Sequence, residues 1–247
     1  MSSLFISDLH LSPENTQLTA LACHFLRQHV DAVSDIYILG DIFNTWLGDD
    51  IVPKEFSEFI AILSSYTANG GNLYLMVGNR DFMLGNAFAK SVGASLIKDG
   101  YKLTLAGQPA LLMHGDSLCV DDVSYQRYRK VVNQRWLQWC FLKLPVSYRQ
   151  KISDQIKQKS REKKQYKTSQ IMDVNDVEVD NVFQQEQIRL LIHGHTHRPA
   201  VHQLAEDHYR IVLGDWRDAP SYLLVDDGHM HLQDPRLPDS KKSLRFS

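Results

Sequence analysis

Five short stretches of this chain end in side chains able to hold a metal ion. They are Asp8-Leu9-His10, Gly40-Asp41, Gly78-Asn79-Arg80-Asp81, His114-Gly115-Asp116 and Gly194-His195-Thr196-His197. Carboxylate, imidazole and carboxamide donors without cysteine suit divalent cations such as manganese, iron or zinc, and argue against a structural zinc site. Two cations about 3.5–4 Å apart can hold one hydroxide between them and clamp a phosphoryl group in line with it. Two divalent ions with the carboxylates of Asp8 and Asp41 leave about +2, or about +1 once a hydroxide is added, which still attracts a phosphate anion. Asp41 is the candidate for the shared carboxylate. Taken singly, each stretch has an ordinary reading: a turn or cap for Asp-x-His, a core histidine for His114, a surface turn for Gly-His-Thr-His. Taken together, each follows an apolar run, and that coincidence favours convergence.

The elements that must position them follow from periodicity. Ser3 to Ser7, Ile36 to Leu39 and Leu73 to Val77 read as buried strands. Between them, Asn15 to Val30 and a stretch opened by Pro53 carry apolar residues at helical spacing, the second stopped by Asn69-Gly70-Gly71. Strand alternating with helix implies parallel pairing, and ligands gather beyond the carboxyl ends of such strands. After a helix over 85–92, Lys102 to Leu105 and Ala110 to Met113 form a hairpin that delivers His114. A long helical stretch runs from Asp122 to about Gln185. Strands resume at Leu190 to Ile192, which deliver His195 and His197. Antiparallel strands are expected at Ala200 to Leu204, Tyr209 to Leu213, Tyr222 to Val225 and His229 to Leu232, the last two joined by Asp227-Gly228.

The 247 residues, 43% of them hydrophobic, allow one elaborated domain over 1–233. A net charge of −2 gives no pull towards nucleic acid, and no nucleic-acid partner is expected. Three cysteines without metal spacing point to a reducing compartment. Without a leader or a spanning apolar run, a cytoplasmic protein is expected, and a monomer is favoured. The segment over 234–247 is polar, contains Pro235 and Pro238, and reads as a mobile tail.

The five blocks, in this order and spacing, resemble those of the calcineurin-like metallophosphoesterases. That resemblance implies an α/β fold of two facing mixed β-sheets flanked by helices. It implies one metal held by Asp8, His10, Asp41 and His197, and a second held by Asp41, Asn79, His114 and His195. Longer blocks are more specific. Ile38-Leu39-Gly40-Asp41, Trp46-Leu47-Gly48-Asp49-Asp50, Gly78-Asn79-Arg80-Asp81-Phe82, Met113-His114-Gly115-Asp116-Ser117-Leu118-Cys119, Ile171-Met172-Asp173-Val174-Asn175 and Ile192-His193-Gly194-His195-Thr196-His197-Arg198-Pro199 resemble the UDP-2,3-diacylglucosamine hydrolases of lipid A synthesis. That family splits the substrate pyrophosphate with water to give UMP and 2,3-diacylglucosamine 1-phosphate, lipid X. It uses manganese, works peripherally at the cytoplasmic face of the inner membrane, and directs metal-activated water at the uridine-side phosphorus.

By the same resemblance, Asn79, Arg80 and His195 are catalytic. Substrate contacts fall to Asn79, Arg80, Asp122, Ser160, Lys167 and His195, with Lys164 standing where relatives often carry Asn. Arg80 offers a planar fork to phosphate oxygens or pairs with a neighbouring Asp. Asp122 contacts substrate or merely caps the first inserted helix. A helical insertion over about 122–168 would form a substrate cap. Its apolar residues nearly encircle Trp136 to Leu144, which suits either a buried helix hairpin or a groove for acyl chains that also touches the bilayer. The basic run of Arg149, Lys151, Lys157, Lys159, Arg161, Lys163, Lys164 and Lys167 is either a solvated face or a surface for anionic head groups. Two other readings compete: a general metallophosphoesterase acting on another nucleotide or a phosphoprotein, and a non-enzymatic scaffold. A scaffold would show damaged ligand positions, and none of the seven is damaged.

Overall fold

The computed structural model describes residues 2–164, 173–237 and 242–245. The first half alternates strand and helix as the periodicity predicts. In order come β1 (Ser3–Ile6), α1 (Thr16–His29), β2 (Asp35–Leu39), α2 (Ser57–Ala68), β3 (Asn72–Met76), α3 (Asn86–Ser91) and β4 (Ser95–Leu96). The strands β1 to β4 pair in parallel. Then follow β5 (Tyr101–Leu105) and β6 (Gln108–Met113), an antiparallel hairpin. The inserted region holds α4 (Val123–Val132), α5 (Arg135–Leu142) and α6 (Val146–Lys164), and α7 (Asp176–Glu186) leads back to the sheets. The chain continues through β7 (Leu190–His193), β8 (Ala200–Ala205), β9 (His208–Val212), β10 (Tyr222–Asp226), β11 (His229–Gln233) and β12 (Lys242–Arg245).

These strands form two sheets, in the orders β12-β11-β10-β1-β2-β3-β4 and β5-β6-β7-β9-β8. Both are mixed: β6, β7 and β9 run parallel in the second sheet, with antiparallel β5 and β8 at its edges. The central strands are buried on both faces, so they read as unbroken apolar runs. Alternate residues then serve different layers. Phe5, Tyr37 and Leu39 face the second sheet and pack with Leu112, Ile192 and Ile211. Leu4, Ile6, Ile36 and Ile38 face away and pack with Phe25 and Leu26 of α1 and Phe59 and Leu63 of α2. Outside the second sheet, Leu111 and Leu191 meet Val179 and Phe183 of α7. The molecule is therefore helix, sheet, sheet, helix in section.

The segment after β11 departs from the expected tail. Asp234 and Leu237 are buried, and β12 pairs antiparallel with β11. Prolines and polar residues dominate it and mask the short Leu244-Arg245-Phe246 alternation, and pairing with β11 supplies the missing order.

Candidate metal centre and active site

All five blocks meet on one side of the molecule, beyond the carboxyl ends of β1, β2, β3, β6 and β7. Backbone hydrogen bonds lock the loops together: Asp8 N to Gly40 O at 3.1 Å, His10 N to Asp41 O at 2.9 Å, and Gly194 N to His114 O at 2.9 Å. The loops are tightly coiled. Among described residues, eight other than glycine have positive φ, and five of these are Asp8, His10, Asp41, His195 and His197. Such strain persists only where the surroundings over-determine it, and here it turns donor side chains inward. Glycines make room for them. A Cβ on Gly78 would lie 2.3 Å from Asp41 Oδ1, and one on Gly40 would lie 2.6 Å from His114 Nδ1.

The donors converge closely. Asp8, His10 and His197 offer ligand atoms all within 4.8 Å of one another, as do Asp8, Asp41 and His114. His197 Nε2 lies 3.3 Å from Asp8 Oδ1 and 3.2 Å from His10 Nε2. The two oxygens of Asp41 point in different directions, Oδ1 at 3.8 Å from His114 Nε2 and Oδ2 at 3.9 Å from His10 Nδ1. Asn79 Oδ1 stands 3.1 Å from both His114 Nε2 and His195 Nδ1. His114 and His197, 83 positions apart by number (197 − 114), thus share one pocket through Asp8. The pocket fits cations: Asp8 Oδ1 and His10 Nδ1 are buried with no hydrogen-bond partner, which is costly unless something else satisfies them.

Protonation follows from burial and neighbours. Burial pushes the imidazoles of His10 and His195 down to about 4 and about 3, leaving them neutral and able to ligate. Burial pushes the Asp41 carboxyl up to about 7. Burial would also raise Asp8, but the close His197 imidazole and the field of His114 hold it below the usual carboxylate range. Burial would lower His114, yet Asp41, Asp8 and Asp116 lift it to about 9. His114 Nδ1 faces Leu39 O at 2.9 Å, which assigns its proton there and turns Nε2 towards Asn79 and Asp41.

Comparison with known proteins bears on this geometry. The sequence model of the calcineurin-like phosphoesterases matches residues 1–199. A UDP-2,3-diacylglucosamine hydrolase of Tolumonas auensis is 44% identical over 94% of this chain and 96% of its own length. One of Haemophilus influenzae is 46% identical over 87% of this chain and 90% of its own. The chain is a calcineurin-like phosphoesterase of the UDP-2,3-diacylglucosamine hydrolase family. A solved dimetal phosphatase from Danio rerio, 13% identical, aligns over 100% of this chain and 99% of its own with a TM-score of 0.57, a likeness of fold.

Beside the donor pocket of this phosphoesterase lies a cavity of 560 Å³. One wall carries Asn79, Arg80, His195 and His197; the other carries Tyr128, Leu137, Phe141 and Ile156 of the insertion. Asp122 and Ser160 also line it. Asp122 also caps α4, accepting from Tyr125 N at 3.0 Å, which is the capping role expected of it. The alternative role for Arg80, an ion pair with a neighbouring Asp, is not among the described contacts; its backbone N donates to Asp41 Oδ1 at 2.7 Å. Lys167, with Ile171 and Met172, lies outside the described residues, and the side chain of Lys164 is likewise outside them.

Two expectations for the insertion change. The Trp136 to Leu144 stretch is no buried hairpin: α5 has no buried residue, and Trp136 and Trp139 are 65% and 60% exposed. Arg149 belongs to no solvated face. It is 4% exposed and forms a two-toothed pair with Asp50 at 2.6 and 2.7 Å.

Several working residues escaped sequence reasoning. Asp116 accepts from Tyr125 Oη at 2.6 Å and Arg129 Nε at 2.7 Å, tying α4 to the end of β6. Asp99 accepts from His114 N at 2.9 Å and Arg129 Nη2 at 3.0 Å. Asp81 accepts from Gly78 N and Ile42 N, each at 2.7 Å. Asp215 Oδ2 lies 3.4 Å from His197 Nδ1. A signal for Asp215 existed: Ile211-Val212-Leu213-Gly214-Asp215 repeats the apolar-run-Gly-Asp pattern of Leu39-Gly40-Asp41.

Proposed function

We propose that the chain hydrolyses UDP-2,3-diacylglucosamine to UMP and 2,3-diacylglucosamine 1-phosphate, a step of lipid A biosynthesis. The observation that carries this reading is the two-sided cavity, with metal-type donors and Arg80 on one wall and apolar side chains of the insertion on the other. A lipid-linked pyrophosphate needs both walls. The relatives named above share the fold and nearly the whole length.

In this reading Asp8, His10, Asp41 and His197 hold one divalent cation, and Asp41, Asn79, His114 and His195 hold the other, with manganese as the ion. When bound, the pair supplies Lewis acidity and makes water a stronger nucleophile at neutral pH. The protein does the rest. Asp41 presents one oxygen to each side. Neutral His10 and His195 keep their lone pairs free. Arg80 places its guanidinium at the cavity wall, where planar donors match phosphate oxygens that gain charge as the bond breaks. Asp122 and Ser160, which line the cavity, contact the substrate, and the family resemblance adds Lys164 and Lys167 to them. Tyr128, Leu137, Phe141 and Ile156 exclude water and receive acyl chains. Water adds at the uridine-side phosphorus, the bridging oxygen leaves with the sugar phosphate, and Asn79 and His195 orient the reacting phosphate.

The insertion over about 122–168 acts as a cap on the domain over 1–233. No helix among the described residues is long and apolar enough to cross a membrane. Exposed Trp136 and Trp139 would instead rest in the interface at the cytoplasmic face of the inner membrane. The test is incubation of the full chain with the diacylated UDP-sugar and Mn²⁺ in oxygen-18 water, with products identified by mass. UMP carrying the label is expected. Label in the sugar phosphate would reverse the direction of attack, and equal turnover of an unacylated UDP-sugar would favour a general metallophosphoesterase.

A further inference from the structure

The segment after β11 reaches the metal centre through Arg236. His197 turns Nε2 towards Asp8 and His10 and Nδ1 towards Asp215 Oδ2 at 3.4 Å. Asp215 is buried, and Arg236 grips it twice, Nη1 to Oδ1 at 2.5 Å and Nη2 to the backbone carbonyl at 3.0 Å. Asp234, fully buried, fixes Arg236 in turn. Its Oδ1 accepts Arg236 N and Nε, each at 2.8 Å, and its Oδ2 accepts Nη2 at 2.6 Å. Position 214 is shaped for this grip: a Cβ on Gly214 would lie 2.1 Å from Arg236 Nη2 and 2.5 Å from Asp234 Oδ2. Arg217 also donates to Asp215 Oδ2 at 2.9 Å, but its side chain is largely exposed and such pairs hold little.

We propose that Arg236 is a positioning residue: by clamping Asp215 it holds the His197 ring with Nε2 facing the cation bound by Asp8, His10 and His197. The inference rests on the reading that these three residues hold a divalent cation. A metal-bound imidazole gains basicity and a set orientation when its other nitrogen faces a fixed carboxylate, and losing that partner costs on the order of 10- to 100-fold in metal affinity. Asp234 takes two guanidinium nitrogens and fixes the plane of Arg236, which then holds Asp215 by one carboxylate oxygen and its backbone carbonyl; released from that hold, Asp215 rotates and His197 loses its anchor. A mere staple for the C-terminal strand would behave differently, lowering fold stability and weakening both cations together.

The experiment titrates full-length wild type, Arg236→Gln, Arg236→Lys and Asp215→Asn with Mn²⁺. Free ion is followed by its electron spin resonance, and melting of the metal-free proteins is recorded alongside. Wild type should bind two ions. Arg236→Gln should weaken one by on the order of 10-fold and leave the other unchanged, with Asp215→Asn weakening the same ion at least as much. Arg236→Lys keeps the charge without the fork and should fall between. Turnover of Arg236→Gln should recover at saturating Mn²⁺ with KM for the lipid substrate unaltered. Equal weakening of both ions, or of neither, would overturn the proposal. If Arg236→Gln does not fold, Arg236→Lys and Asp215→Asn decide by the same criterion. Wild type that binds no Mn²⁺ would instead remove the parent reading of the site.

Discussion

Asn79 and Asp81 stand two positions apart and do different work. Asn79 Oδ1 faces His114 and His195 inside the donor cluster. Asp81 points the other way and accepts backbone N–H groups from Gly78, Ile42 and Phe43, joining the ends of β2 and β3. Asn79→Ala should therefore lower turnover by on the order of 100-fold, with metal-free stability within about 1 kcal/mol of wild type. Asp81→Ala should cost about 3 kcal/mol or more, because it strands several buried donors. Thermal melts of the metal-free proteins, set against turnover with Mn²⁺, separate the two effects. An Asn79→Ala protein with full turnover and full metal content would falsify the role of Asn79.

At the scale of elements, the insertion is a cap tied down at two points. Asp116 and Asp99 hold α4 through Tyr125 and Arg129, and Asp50 holds α6 through Arg149. Between the ties, α5 gives Leu137 and Phe141 to the cavity and Trp136 and Trp139 to solvent. Replacing both tryptophans by serine should leave melting nearly unchanged, within about 1 kcal/mol, while weakening co-sedimentation with anionic phospholipid vesicles. The same helix yields a simpler check. Cys140 is exposed, whereas burial pushes the thiols of Cys23 and Cys119 up to about 11 and about 12. Native protein should release one equivalent of thiol to Ellman's reagent and three after denaturation. A count of three in the native state would mean that the environment of Cys23 or Cys119 is open.

Across the whole molecule, the donors come from both sheets: Asp8, His10, Asp41 and Asn79 from the first, His114, His195 and His197 from the second. Cations held there bind only the folded arrangement, so they should stabilise it by about 2.7 kcal/mol per site at a free concentration 100 times Kd. Chelation should lower the melting temperature correspondingly, and restored Mn²⁺ should return it. Protons compete with cations at His114, which despite burial its carboxylate neighbours lift to about 9, and at Asp41, whose carboxyl burial pushes up to about 7. Below those values each metal-free group carries a proton that binding must expel. Affinity should therefore tighten as pH rises through about 7 and on towards about 9, with calorimetric heat at pH 6 varying with the ionisation enthalpy of the buffer. Heat independent of buffer would show that no proton is released.

Much of this was written in the linear order of residues. Apolar runs ending in Asp, Asn or His, broken by helical spacing, are local patterns, so strands, crossover helices and all seven donor positions were legible from them. Burial on both faces made those runs plain, because nothing polar interrupts Leu4 to Ile6 or Leu190 to Ile192. Other facts depend on contacts between residues remote in the chain. Arg149 reads as one more cation until Asp50 meets it 99 positions away, and Arg236 reads as part of a polar tail until it closes on Asp215. The left-handed backbone at Asp8, His10, Asp41, His195 and His197 has only a partial local cause: Asp and His tolerate it better than most residues, but the packing of neighbouring loops is what imposes it. The sequence by itself determined most of the elements, though not β4 or β12, and which side chains can ligate, since these follow from neighbours along the chain. Tertiary structure alone decided how those side chains are aimed and braced, since that requires partners that folding brings together.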